Sequence, residues 1–211
     1  MDLAERWQDL ASRVGLAPDR SEAVGRHLLD AYGDPARSYH DLRHLAEVLD
    51  HVDELAAVPR RPDLVRLAAW FHDETYAGAP SDEEESARSA ERRLAAAGLA
   101  PAEVTEVARL VRITANHDPA PDDVDGAVLC DADLAVLARD EDGYRRYVDD
   151  VRREYAHVPD ELFRAGRATV LSALLAAPTL FRTDEGRRRW ERAARANVEA
   201  ELARLRVGDP G

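Results

Sequence analysis

Histidine and aspartate side chains stand beside apolar runs at four places in this 211-residue sequence. His40 and His44 are four residues apart, so a helix would carry both on one face. His72 and Asp73 directly follow the apolar run 67–71, and His117 comes at the end of another helix-like segment. Because an unpaired buried charge is very costly, polar groups this close to a core must pair with one another or bind a metal ion.

The fourth place holds two acids, Asp131 and Asp133, inside the otherwise apolar segment 128–134. Neutral imidazoles combined with carboxylates suit Mn, Fe, Co, Ni or Zn ions better than Ca or Mg ions alone, although Mg stays open as an alternative. Two histidines and two aspartates leave coordination positions for water and substrate, as a hydrolytic metal site requires. The residues therefore predict a metal site in which His40 or His44, and Asp131 or Asp133, are the candidate ligands.

Composition narrows the class of protein. Hydrophobic residues make up 45% of the chain and charged residues 34%, and the net charge is −13. This charge works against binding a nucleic-acid polymer, because such binding depends on neutralising phosphates. No apolar run approaches the roughly 20 residues that cross a bilayer, and the single cysteine, Cys130, excludes a disulfide framework within the chain. We therefore expect a cytoplasmic protein that does not span a membrane, and a small phosphorylated ligand remains compatible with its charge.

Helices are the elements that must position these residues. Apolar residues recur at steps of three and four along nearly the whole chain, and Pro, Gly or Asp-rich breaks separate the helix-length segments. The pattern predicts an all-α protein, with one compact domain over 1–207 and a short tail over 208–211. The predicted helices are 2–14, 20–32, 39–56, 62–76, 81–97, 101–117, 122–139, 141–156, 160–176 and 184–206.

Three helix starts carry recognisable capping chemistry. Ser81 followed by Glu84 has the spacing of a capping box. Pro101 fits the first turn of a helix, where the missing N–H costs nothing. Thr183 is of the residue type that caps an N-terminus, and acidic residues follow it directly. These signals support the predicted starts of the fifth, sixth and last helices.

The order of these motifs on a helical chain resembles the HD superfamily of metal-dependent phosphohydrolases, which is named for its adjacent His-Asp pair. Within this superfamily, the sequence most resembles a branch of small predicted phosphohydrolases, and the resemblance extends over about residues 7–205. The segments that carry it are Arg37–His44, Trp70–Asp73, Asp131–Leu134, Glu154–Tyr155 and Arg195–Asn197. The resemblance implies a single HD-like helical bundle that hydrolyses a phosphate ester or anhydride in a small molecule, with a nucleotide as the expected substrate.

The resemblance also implies a role for each residue. The metal ligands carried over from the family are His44, His72, Asp73 and Asp133. Asp73 would in addition orient the attacking water or accept its proton, and His40, in the first turn of its helix, would meet the substrate phosphate. The groups expected to offset the charge of the phosphate are His117, Arg37 and Arg167. Only one histidine, His117, stands where relatives with two metals carry more than one, which favours a single divalent transition-metal ion.

Two other functions remain open at this point. Some proteins of the HD fold use a di-iron centre and oxygen to cleave carbon bonds, which here would require His40, His44, His72 and His117 all to be ligands. A non-catalytic nucleotide-binding or sensor module could also keep the fold. An intact set of ligands argues against such a module. Measurements of metal content and turnover distinguish the phosphohydrolase, the di-iron enzyme and the non-catalytic module.

Overall fold

Ten α-helices and one short 3-10 helix make up residues 2–207, the part of the chain that the computed structural model describes. The described residues contain no β-strand, so the all-α prediction is confirmed. The predicted tail, 208–211, lies outside the described residues. The helices are α1 (Leu3–Arg13), α2 (Pro18–Tyr32), α3 (Leu42–Glu54), α4 (Pro62–Phe71), α5 (Asp82–Ala96), α6 (Pro101–Ile113), α7 (Val124–Leu134), the 3-10 helix (Ala135–Ala138), α8 (Glu141–Glu154), α9 (Asp160–Ala176) and α10 (Asp184–Val207).

Helix α4 lies at the centre of the bundle and packs against α1, α3, α5, α6 and α7. Seven of its ten residues are buried and apolar, among them Trp70 and Phe71 at its C-terminal end. A helix that is apolar on nearly all sides is stable only inside the protein. Its burial carries the following residues, His72 and Asp73, into the interior of the bundle.

Four helices near the candidate site are shorter than the sequence predicts, and one of them is α7, which ends at Leu134 and passes into the 3-10 helix instead of continuing to residue 139. Helix α3 begins at Leu42 because the Asp41 side chain accepts hydrogen bonds from the first-turn N–H groups of Arg43 and His44. His40 therefore precedes the helix, and the expectation that it shares a helix face with His44 is wrong. Helix α4 ends at residue 71 and not 76, and α6 ends at residue 113 and not 117. The chemically interesting side chains consequently lie at helix ends.

The predicted caps have mixed outcomes. Pro101 occupies the first turn of α6, and the Thr183 hydroxyl accepts a hydrogen bond of 2.9 Å from Gly186 N at the start of α10, so both predictions are confirmed. The capping box at Ser81 is wrong, since the Ser81 side chain makes no capping hydrogen bond to the described start of α5. The neighbouring carboxylate of Asp82 accepts hydrogen bonds from two N–H groups of the preceding loop and fixes the turn.

Within residues 2–207, no helix combines the length and the apolar character that a bilayer crossing requires.

Candidate metal centre

Four polar side chains meet inside the bundle where α3, α4 and α7 come together. His44 Nε2 lies 3.1 Å from His72 Nε2 and 3.4 Å from Asp133 Oδ1. Asp73 Oδ2 lies 3.2 Å from His44 Nε2 and 3.0 Å from His72 Nε2. The two histidines are only 3% and 1% exposed. The structure thus brings together the four residues expected as ligands, and three of them, His44, His72 and Asp133, offer ligand atoms that all lie within 4.8 Å of one another.

The environment of His72 fixes which ring nitrogen faces this cluster. His72 Nδ1 lies 2.8 Å from the carbonyl oxygen of Ala69, and a carbonyl can only accept a hydrogen bond. When the ring is neutral, its proton is therefore on Nδ1, and the lone pair of Nε2 is then directed toward His44 and the two carboxylates. This is the arrangement by which proteins orient a histidine toward a metal ion. The donor set consequently fits a divalent transition metal.

The charges of the cluster are strongly coupled. Burial alone lowers the pKa of His44, but hydrogen bonds and charges from Asp133 and Asp73 outweigh burial and raise this pKa to about 9. Burial raises the pKa of each carboxylate, and the nearby imidazoles more than reverse this, so that both pKa values lie well below the usual range. A divalent ion must displace protons from the imidazoles, so its affinity for the cluster should rise with pH.

The structure separates the two acids of α7. Asp133 faces His44 and His72, whereas Asp131 accepts hydrogen bonds from Arg182 N (2.6 Å), Thr183 N (2.8 Å) and Thr183 Oγ1 (2.7 Å). Asp131 therefore holds the segment that leads into α10. The approach is so close that a Cβ at Gly186 would lie 2.4 Å from Asp131 Oδ2, which explains the glycine at this position.

We expect Asp131→Ala to lower the free energy of unfolding by about 3 kcal/mol, because it leaves buried donors without an acceptor. The variant should keep its metal, since the carboxylate does not face the cluster. Asp133→Ala is the matched variant. We expect it to lose the metal and to lower the free energy of unfolding by less than Asp131→Ala does. Urea unfolding and elemental analysis of both proteins check this, and metal loss in Asp131→Ala alone would exchange the two assignments.

His117 reaches the cluster from a loop. It follows the end of α6, its backbone adopts φ of 51°, and its Nε2 lies 2.8 Å from Asp133 Oδ2. A positive φ is uncommon for any residue other than glycine and is found disproportionately at functional sites. This conformation turns the ring of His117 toward the ligand carboxylate, and the side chain also lines the adjoining cavity.

His40 is held at the edge of the cluster by Glu154 of α8. Glu154 Oε2 accepts backbone hydrogen bonds from Ser38, Tyr39 and His40, at 2.9 to 3.1 Å, while Oε1 lies 2.5 Å from His40 Nδ1. His40 Nε2 is then left 4.0 Å from Asp73 Oδ2. The carboxylate of Glu154 thus fixes the backbone of the loop before α3 and also the orientation of the His40 ring.

This anchor should make stability depend on pH. Burial raises the pKa of Glu154, but the hydrogen bond and charge of His40, together with backbone N–H groups, lower it to about 2 from an ordinary 4.5. A depressed carboxyl pKa gives stability that is complete above about pH 4.5 and is lost as the pH falls toward 2. At pH 6 we expect the free energy of unfolding of the wild type to exceed that of Glu154→Gln by about 2 kcal/mol. Urea titrations of both proteins should show this difference shrinking by pH 3, and a difference independent of pH would contradict the assignment.

Arg37 positions the backbone of the His-Asp motif. Its guanidinium donates hydrogen bonds to the carbonyl oxygens of His40 (3.1 Å), Asp73 (2.7 Å) and Glu74 (2.7 Å). These contacts satisfy carbonyl groups just beyond the end of α4. Arg37 is not among the described residues that line the cavity beside the cluster. In the structure Arg37 thus holds backbone carbonyls in position, and its expected contact with a substrate phosphate stays a prediction.

A cavity of about 530 Å³, here called the site cavity, opens beside the cluster. Its polar end is formed by side chains of the cluster and its neighbours, namely Tyr39, His40, Asp73, Tyr76, Glu83, Thr114, His117 and Asp133. Most of its remaining lining residues are apolar and belong to the 3-10 helix, α8 and α9. Arg167 lines the cavity. Its guanidinium already donates two hydrogen bonds, of 2.8 and 3.1 Å, to the carboxylate of Glu201.

Glu83 lines the site cavity, although the sequence analysis did not single it out. It belongs to the acidic run at the start of α5, which looks like a solvated helix terminus. In the structure it lines the cavity, and burial raises the pKa of its carboxyl group. Tyr76, whose ring stacks on His40 with centroids 3.9 Å apart, was missed as well. No local pattern marks either residue, because the loop between α4 and α5 brings them to the site.

Comparison with known proteins adds no assignment, since no protein-family model, no curated protein and no solved structure matches the chain.

Proposed function

We propose that the protein is a metal-dependent phosphohydrolase that acts on a small molecule. The observation that carries this proposal is the convergence of His44 Nε2, His72 Nε2 and the carboxylates of Asp73 and Asp133 inside the bundle, next to a cavity. The same four residues are the ligands that the resemblance to HD phosphohydrolases implies. They would hold one divalent transition-metal ion. When bound, such an ion supplies positive charge that polarises a phosphoryl oxygen and makes water more acidic.

The residues around the ligands have distinct tasks in this proposal. Asp73 is both a ligand and a lining residue of the site cavity, so its carboxylate can orient the attacking water and accept its proton. His117 and His40 lie on either side, beside Asp133 and Asp73 respectively, and both rings line the cavity. Asp133 engages Nε2 of His117 and Glu154 engages Nδ1 of His40, so the other ring nitrogen of each can donate an N–H to a phosphoryl oxygen and stabilise the charge that develops there. Arg37 and Glu154 hold the backbone that carries these groups.

The test is metal content together with a hydrolysis screen. Purified protein is stripped with a chelator and reloaded separately with Mn, Co, Ni, Zn, Fe or Mg ions, and phosphate release is measured over esters and anhydrides. We expect close to one ion per chain and turnover with at least one ion. Absence of bound metal, with no activation by any of these ions, would disprove the proposal.

The di-iron alternative gives a different result in the same experiment. It predicts two irons per chain, oxygen consumption and a charge-transfer band. His40 Nδ1 is engaged by Glu154, and the ligand atoms that lie within 4.8 Å of one another come from three residues other than His40 and His117. These contacts favour a single ion.

A further inference from the structure

An apolar stripe of α9 forms part of the lining of the site cavity. Leu162, Gly166, Val170 and Leu174 follow one another at steps of four, so they form one stripe along the helix, and all four line the cavity. Leu162 is 65% exposed and Val170 53% exposed, and they are the large hydrophobic residues that stand out as exposed in the described chain. This face lacks the cover that apolar side chains normally receive from the rest of a protein.

Other elements add further apolar residues to this lining. Val136 and Leu137 of the 3-10 helix, Val151 of α8 and Tyr155 after it line the same cavity. Phe163 of α9 closes it next to Tyr155, with ring centroids 6.0 Å apart. A molecule in the cavity could therefore contact hydrocarbon side chains as well as His117, Asp73 and Asp133, which line the same space.

Charge in the site cavity limits how many phosphate groups can be accommodated. Three carboxylates line it, those of Asp73, Glu83 and Asp133. Among the described lining residues, the arginine is Arg167, and Glu201 already pairs with it in a bidentate contact. A single phosphoryl group can bind at the cluster, where a metal ion would offset its charge. A second or third phosphate would lie among these carboxylates, and the described lining offers it the imidazoles of His40 and His117 but no arginine other than the paired Arg167.

We propose that the substrate is a phosphate monoester with one phosphoryl group and an apolar alkyl or aryl body, which α9 covers. This inference rests on the proposed phosphohydrolase function and narrows its substrate class. In the reaction, the oxygen of water forms a new bond to phosphorus, the bond between phosphorus and the ester oxygen breaks, and one proton of the water ends on the leaving alcohol. The apolar body supplies binding energy far from the reacting atoms.

The test compares linear alkyl phosphates from ethyl to octyl with nucleoside triphosphates, using metal-loaded protein. Each methylene that enters the apolar half should raise kcat/KM about threefold to fourfold until the cavity is full. Calorimetric titration with the matching alkyl phosphonates, which are not hydrolysed, should show the same trend in Kd. Nucleoside triphosphates should be much poorer substrates than octyl phosphate.

Gly166→Leu tests the position of the apolar body. Apart from its chain neighbours and the nearby backbone of α9, no described atom lies within 4 Å of a Cβ at Gly166, so a new side chain has space at this position in the cavity lining. Leucine is also a better helix former than glycine, so the fold should not suffer. We expect the ratio of octyl to ethyl phosphate in kcat/KM, and in phosphonate affinity, to fall at least tenfold. Thr169→Leu is the matched control, since Thr169 is exposed on α9 and does not line the cavity, and it should keep the ratio of the wild type.

The outcomes distinguish this inference from the function on which it rests. Hydrolysis that does not depend on chain length, or a preference for nucleoside triphosphates, would overturn the inference and leave the phosphohydrolase proposal intact. If no ester or anhydride is hydrolysed with any metal, the phosphohydrolase proposal fails. Phosphonate affinity independent of chain length would show that the apolar half of the cavity does not bind a ligand of this class.

Discussion

His72→Ala is expected to abolish metal binding and, with it, hydrolysis. His72 Nε2 lies within 3.6 Å of His44 Nε2 and of one oxygen of each ligand carboxylate, so its removal takes away the central nitrogen of the cluster. Even changes to groups that only support a ligand typically cost 10–100-fold in metal affinity. Loss of a ligand from a set of four should therefore cost at least about 100-fold.

Elemental analysis after dialysis, circular dichroism and a phosphate-release assay measure this effect. Asp73→Ala should behave in the same way, because its carboxylate contacts both histidines. His157→Ala is the control, since His157 is exposed and does not line the site cavity. Wild-type metal content with wild-type turnover in His72→Ala would refute the metal site, provided that the helical signal is unchanged.

The second large effect separates His44 from His40. We expect His44→Ala to lose the metal, because His44 Nε2 is buried between His72, Asp73 and Asp133 at 3.1 to 3.4 Å. We expect His40→Ala to keep the metal and to lose about 100-fold in kcat/KM, the scale on which a well-placed proton donor or acceptor acts. Its ring nitrogen is 4.0 Å from Asp73 and faces the cavity.

Metal content and steady-state kinetics on the two purified variants decide between the roles. His40→Gln is a useful companion variant, since its side chain can still donate a hydrogen bond and should restore part of the lost activity. Metal lost from His40→Ala and retained by His44→Ala would show that the two roles are reversed. Equal metal loss in both would place His40 among the ligands and favour a larger centre.

Local residue patterns were enough to predict the helical framework and the types of donor. Periodicity is a local property, so it located all the helices of the described chain, including α4, whose seven buried apolar residues mark it as the central helix. The adjacent His72 and Asp73 follow that buried run directly, so their burial could be inferred from neighbouring residues alone. Because buried polar groups must be paired or bind a metal ion, these residues predicted a metal site.

Only the tertiary structure decided which donor faces the cluster and where each helix ends. Asp131 and Asp133 are two residues apart on one helix, and the partners that separate them lie on other elements, such as Thr183, 52 residues beyond Asp131. Arg37 reaches a carbonyl 36 residues away, and Glu154 accepts the N–H of His40 across 114 residues. These distant contacts hold the backbone just after α4 and just before α3, and the packing of the helices places Glu83 and residues of α9 along the same cavity. Because hydrogen bonds and packing join residues that are distant in the chain, no local pattern of residue types encodes them.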